Sequence, residues 1–210
     1  MSDLLAIFPL PTVVLFPGVF LPLHVFEPRY REMVADALAT DRLIGMVLLR
    51  EGWQAHYEER PPVYSVGCSG LIAHSETLPD GRYNIVLRGL DRFRIVGEDH
   101  GRAYRRARTE PMPEPALTRE QRARLRQHRA RIEALIAPSE RSGGIDRRAA
   151  EALSDEDLVS ALAQYLDLEP IEKQALLEQP GVFARAIALI ELLEMKTLLG
   201  RYPSVSPLPN

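Results

Sequence analysis

Cysteine is almost absent from this chain: Cys68 is alone among 210 residues. An intrachain disulfide is therefore excluded and no thiolate cluster can form, which points to a reducing compartment. Long apolar runs are missing as well. Pro9 and Pro11 interrupt the first one, and none approaches the roughly 20 apolar residues needed to cross a bilayer. Asp3 stands where a secretory signal would be basic, so a cytoplasmic protein with no membrane partner is expected. Lysine is scarce, with only Lys173 and Lys196 among 26 basic residues, a bias to which no function is attached. Catalytic and ligand motifs are absent too. No G-x-x-x-x-G-K-[ST] phosphate loop occurs, and Ser142-Gly143-Gly144, the nearest glycine-rich piece, lacks the lysine. His24, His56, His74, His100 and His128 show no H-E-x-x-H or other short ligand spacing, so neither metal nor cofactor is expected. Gly67-Cys68-Ser69-Gly70 is not G-x-S-x-G, and Cys68 reads as a small core residue.

What the chain does have is ordinary soluble composition, 46% hydrophobic and 26% charged, with a net charge of -3 that hides an asymmetry. Thirteen arginines face six acids between Arg102 and Arg148, so the middle is basic and the remainder acidic. Proline is plentiful, at 17 residues. Ile7 to Leu38 is apolar enough for a core but too often broken by proline for one long element, which predicts short strands joined by tight turns. Phe16-Pro17-Gly18 reads as such a turn, and Glu27-Pro28 opens a helix carrying Tyr30, Met33, Val34, Ala37 and Leu38.

Leu43 to Leu49 is a central strand by composition, and Arg50 to Pro62 a polar surface loop whose only large rings are Trp53 and Tyr57. From Val63 to Arg108 the pattern is a meander. Leu78-Pro79-Asp80-Gly81 makes a hairpin turn, Tyr83, Ile85 and Leu87 alternate with Asn84, Val86 and Arg88, and Gly89-Leu90-Asp91 is expected to turn the chain again. Glu98 to Gly101 should turn into a last strand carrying Tyr104. Pro111, Pro113 and Pro115 then predict a stiff link over 111–118. Beyond it, helical spacing takes over. Leu125, His128, Ile132, Leu135 and Ile136 form one stripe, Pro138 to Gly144 a break, and Ser154 with Asp157 a helix cap; Pro170 and Pro180 start two more helices. The last is apolar nearly all round, so it is expected at the centre of the helical half with Ile190 among its buried residues. The divisions read from the sequence are a β-rich lobe over 1–110, the link, a helical lobe over 119–200 and a loose tail over 201–210.

Two stretches carry a family resemblance. The order apolar strand, Pro-Gly turn, apolar strand and E-P-R-Y-R-E-M resembles the opening of the amino-terminal substrate-binding domain of Lon proteases. The phrase L-P-D-G-R-Y-N-I-V-L-R-G-L-D-R-F-R-I is similar to a second hallmark of that domain, with Gly89, Leu90, Arg92 and Ile95 matching its G-L-x-R segment. The resemblance runs from about Leu5 to Leu199. It implies an α+β fold: an amino-terminal PUA-like pseudo-barrel with one or more helices, then a carboxy-terminal α-helical bundle. It also implies a non-catalytic module, because the Lon ATPase loop and Ser-Lys pair have no counterpart here and the chain is expected to end where the ATPase would begin. The partners implied are exposed apolar or unfolded segments of other proteins, with a separate protease or chaperone as a further partner.

Val19, Phe20 and Trp53 are nominated for peptide binding, since each flanks a turn or loop. The rival reading is an RNA-binding module that uses the six arginines between Arg119 and Arg131, with Arg119, Arg122, Arg126 and Arg129 as phosphate contacts. Against it, the helix lacks aromatic residues to stack on bases, and a solvated face pairing with the acidic carboxy-terminal half accounts for the same arginines.

Overall fold

The computed structural model describes residues 4–56, 60–136 and 152–200. Tyr57, the expected break at 138–144 and the expected tail at 201–210 lie outside the described residues. The chain divides into two compact units that meet between Pro113 and Glu114.

The first unit is built on six strands, β1 (Leu5–Leu10), β2 (Phe20–Val25), β3 (Leu43–Leu48), β4 (Val66–Thr77), β5 (Tyr83–Asp99) and β6 (Arg105–Met112). They lie in the order β2-β5-β4-β3-β1-β6, and β5 pairs again with β6. That second pairing closes five strands into a ring, leaving β2 as an appendix on the first half of β5. β1 and β3 are parallel; the other ladders are antiparallel. Ile7, Val47, Phe93 and Ala107, from four of the ring strands, form one core cluster with Leu5, Val63 and Ile95 against it. The other side of β1 and β3 is covered by helix α1 (Pro28–Leu38), which buries Tyr30, Met33, Val34 and Ala37. Phe8 of β1 meets Tyr30 with ring centroids 4.4 Å apart. This double cover explains why β3 reads as an unbroken apolar run, being buried from Ile44 to Leu48.

The turns follow residue chemistry. Gly18 adopts φ 78° after Pro17, Gly81 adopts φ 79° after Asp80, and Pro28 opens α1. One expected turn does not exist. Gly89-Leu90-Asp91 lies inside β5, which runs unbroken while its second neighbour changes from β2 to β6. Gly89 is there for close approach: it donates to Val19 O at 2.8 Å and accepts from Gly18 N at 3.0 Å, and a Cβ at 89 would sit 2.0 Å from the Phe16 carbonyl oxygen. Two further expectations shift by a few residues. Tyr104 precedes β6 rather than lying within it, and β6 continues through Pro111, paired with Phe93, into the stretch expected as a link. The loop after β3 contains a 3-10 turn, Trp53–His56.

The described part of the second unit consists of α2 (Arg119–Ile136), α3 (Asp155–Tyr165), α4 (Pro170–Leu177) and α5 (Val182–Leu198). Three of the four starts are capped by side chains; α5 follows Gly181 without one. Thr118 Oγ1 accepts from Gln121 N at 3.1 Å while Gln121 Oε1 accepts from Thr118 N, Ser154 accepts from Asp157 N, and Glu169 with Glu172 forms a capping box. Helix α5 packs against the other three. Its buried face is Val182, Arg185, Ala186, Leu189 and Leu193; Ile190 is only half-buried, one position off that stripe, and Ile187, Met195 and Leu198 are exposed. The all-round apolar character of α5 therefore does not translate into all-round burial. Arg185 is 1% exposed, donating to Glu114 Oε1 at 2.6 Å and to the Leu176 carbonyl at 3.2 Å.

Candidate functional site

Strand alternation decides which side chains of β2 reach the surface. Leu21 and Val25 are buried, whereas Phe20 is 50% exposed, His24 is exposed, and Phe26, just past the strand, is 60% exposed. The register places Phe20, Pro22 and His24 opposite Arg88, Val86 and Asn84 of β5. Val86 and Asn84 are in turn opposite His74 and Glu76 of β4. The result is a three-strand outer face with an apolar strip, Phe20, Pro22, Val86 and Phe26, on and beside the end strand.

One end of that strip is polar and organised. Asn84 Nδ2 donates to Glu76 Oε2 at 2.9 Å, His24 Nδ1 lies 2.8 Å from Asn84 Oδ1, and the Arg82 guanidinium lies 3.2 Å from His24 Nε2. Arg82 also donates through its backbone and guanidinium to Asp80, contacts that hold the Asp80 carboxyl below its ordinary range. The His24 ring stacks on Phe26 with centroids 6.2 Å apart. This chain of contacts runs through His24 to the Phe26 ring.

The backbone edge is less useful than the face. β2 is an end strand, and Val19 O accepts from Gly89 N, so by alternation the nitrogen of Pro22, which carries no hydrogen, is turned away from β5. A further strand laid along that edge would find no donor at Pro22. The arrangement can hold apolar side chains; it is poorly made for strand addition. Among the described residues no three of His, Cys, Asp or Glu stand close enough to hold a metal ion.

The residues nominated from sequence are scattered. Phe20 lies on the face. Val19 does not: it is 6% exposed, buried where the Phe16–Gly18 turn closes against Gly89, so its place beside a turn did not put it outside. Trp53 is half-buried in the turn after β3, and β4 and β5 separate β3 from β2 in the sheet. The residues missed were Pro22, His24 and Phe26. Period-two counting from Phe20, with proline as the mark of an end strand, would have found them.

Four of the six α2 arginines make ion pairs within the unit, and of the six only Arg129 is half-buried. Arg129 pairs with Glu133 at 2.9 Å and Asp155 at 3.2 Å and donates to the Leu153 carbonyl; these two acids hold its guanidinium pKa above the ordinary value against the effect of burial. Arg131 pairs with Glu194, Arg126 with Asp155 and Arg124 with Glu120. Arg119 and Arg122 are exposed.

Comparison with known proteins agrees with this architecture. The family model described as the ATP-dependent protease La (LON) substrate-binding domain matches residues 5–195. Lon protease of Paraburkholderia phytofirmans is 29% identical over 188 residues, covering 86% of this chain and 23% of that protein; Lon protease 1 of Herpetosiphon aurantiacus is 28% identical, with 91% and 24% covered. The chain thus spans about a quarter of the length of these relatives. The amino-terminal domain of Mycobacterium avium complex Lon protease superposes with a TM-score of 0.69 at 20% identity, covering 91% of this chain and 98% of that one. A Lon amino-terminal domain protein from Xanthomonas campestris gives 0.56 at 25% identity, with 94% and 97% covered. With a family model that matches residues 5–195 and an α+β fold shared with Lon amino-terminal domains, the chain belongs to the Lon substrate-binding domain family.

Proposed function

We propose that this protein is a non-catalytic polypeptide-binding module that takes exposed apolar segments of unfolded or extended proteins on the outer face of β2. The observation that carries the reading is the pair of exposed rings, Phe20 and Phe26, on and beside the end strand next to Val86. Apolar side chains of a partner would bury these rings. In this reading the ring of strands is a PUA-like pseudo-barrel that serves as a rigid mount, the helices of the second unit form a bundle, and the protein works in the cytoplasm alongside a separate protease or chaperone, neither hydrolysing ATP nor cutting peptide bonds itself. Family membership supports substrate recognition as the role, and the acids paired with Arg124, Arg126, Arg129 and Arg131 would compete with a phosphate backbone.

The test is fluorescence anisotropy with a labelled, permanently unfolded protein. Burial of apolar area is not screened by salt, so binding should persist at high ionic strength. Phe20→Ser and Phe26→Ser should each weaken it by about 1 kcal/mol or more with unaltered circular dichroism. Replacing Arg122, Arg126 and Arg129 by Gln should leave it unchanged. Single-stranded RNA engaging four arginines would instead give a log-affinity against log-salt slope of about -3. Such a slope, lost with the three arginines, would overturn the proposal.

A further inference from the structure

A second concave site lies in the first unit, and none of its lining residues belongs to β2. It is a half-open pocket of about 430 Å³ between the first turn of α1, the start of the Arg60-Pro61 segment and the chain entering β6. That volume is within the span of about 300–1,000 Å³ typical of small-ligand sites. Its walls are of two kinds. Pro9, Pro28, Leu49, Pro61, Tyr30 and Tyr104 supply apolar and aromatic surface, while Arg29, Arg60 and Arg105 converge on it with Glu27 as the one acid in the lining.

The three arginines are not equivalent. Arg29 is paired with Glu27 at 2.9 Å and lies over the Tyr30 ring, 4.7 Å from its centroid. Arg105 is paired with Glu98 through two nitrogens, at 2.9 and 2.6 Å, and its third donates to the Pro61 carbonyl at 2.6 Å. Arg60 differs. Its two terminal nitrogens reach only the main-chain carbonyls of Asp99 and Arg102, each at 3.3 Å, and no ion pair joins it to an acid among the described residues. Long bonds to neutral carbonyls hold the side chain in place without cancelling its charge, and leave three of its five N–H groups for another acceptor. Arg105, by gripping Pro61, fixes the backbone next to it.

We propose that this pocket binds an apolar acid, with the Arg60 guanidinium receiving the carboxylate and the proline and tyrosine surface receiving the apolar part. A planar carboxylate matches the fork of an arginine better than any neutral group does. The positive end of α1, whose first turn forms one wall, favours the same charge. The chemistry is shared by a small aliphatic or aromatic acid and by the free carboxy-terminus of a polypeptide.

Calorimetric titration of the protein separates the possibilities. The probes are N-acetyl-leucyl-phenylalanine, its carboxamide, 3-phenylpropionate and acetate. The free dipeptide or phenylpropionate should bind, and the carboxamide should be weaker by about tenfold or more, the loss expected when a charge-assisted hydrogen bond is removed. A dipeptide tighter than phenylpropionate identifies a chain terminus as the ligand; the reverse identifies a small acid. Arg60→Gln should abolish the acid-over-amide preference, and Phe20→Ser should leave it intact, which keeps this site separable from the β2 face. Equal binding of acid and amide by the native protein overturns the proposal without any variant. So does acetate binding as tightly as the apolar acids, or an Arg60→Gln protein with native melting and undiminished affinity for the acid.

Discussion

The two units solve the same problem, burying a chain rich in arginine and proline, by different means. In the β unit, Gly89 lets the Phe16 carbonyl come within reach where β2 joins β5, while the β5–β6 ladder that closes the ring is crossed by the pairs Arg105–Glu98 and Arg106–Asp99. The helical unit closes by pairing charges, with Arg185 buried against Glu114 and Arg129 caught between Glu133 and Asp155. The difference lies in what meets at each junction: main-chain atoms at Gly89 in the β unit, a buried guanidinium and its carboxylate at Arg185 in the helical unit.

The sharpest way to break this contrast is Gly89→Ala. The new methyl would meet main-chain atoms that cannot rotate away, so a loss of about 3 kcal/mol or more is expected from denaturant unfolding of the β unit. A variant as stable as the parent would show that close approach is not what seats the start of β2 on β5. Glu114→Ala attacks the other unit. It removes the carboxylate from a guanidinium that is 1% exposed, and because Glu114 itself is partly exposed the loss should fall near the lower end for broken buried pairs, about 3 kcal/mol. If helicity melts unchanged, charge pairing is not the device proposed for that unit.

Leu189→Ala and Ile190→Ala test how α5 is seated. Leu189 is fully buried and Ile190 is not, so the first should cost about 2–3 kcal/mol and the second clearly less, read from the same thermal unfolding curves. Equal losses would mean that the face of α5 is misassigned. The smallest effect concerns Tyr104. Burial first, then its 2.7 Å hydrogen bond to Asp36, raises its pKa from 10.0 to about 12. The unfolded chain therefore loses this proton before the folded one does. Its contribution to stability is intact below pH 10 and is lost as pH climbs toward about 12. Tyrosinate absorbance should show one late-titrating ring, and Asp36→Asn should bring it down; a titration unaltered by that change would remove Asp36 from the explanation.

Much of the β unit was legible because its punctuation is local. Pro17-Gly18, Glu27-Pro28 and Pro79-Asp80-Gly81 each carry their own conformational instructions, and Ser154 does the same in the helical unit. Gly89-Leu90-Asp91 was misread because glycine beside aspartate is turn chemistry, while the actual need for Gly89 is set by Phe16, far away in sequence. The candidate face was half hidden for a related reason. Phe16 to Phe26 looks like one apolar block until the pairing with β5 sorts Leu21 and Val25 inward and Phe20 and Phe26 outward. Ile190 was placed inside α5 by composition alone, and the rotation of a helix between three neighbours is fixed only by those neighbours.

The ring also sets a timetable. β1 lies between β3 and β6, with Leu5 opposite Ala107 and Ile7 opposite Arg105. As the chain emerges during synthesis, the first strand can pair on one side once β3 has appeared, but its other edge stays open until β6 follows. Closure joins residues far apart in sequence, so forming the ring should be the slow event in folding, and the interval before β6 arrives is when β1 is most exposed to pairing with another chain.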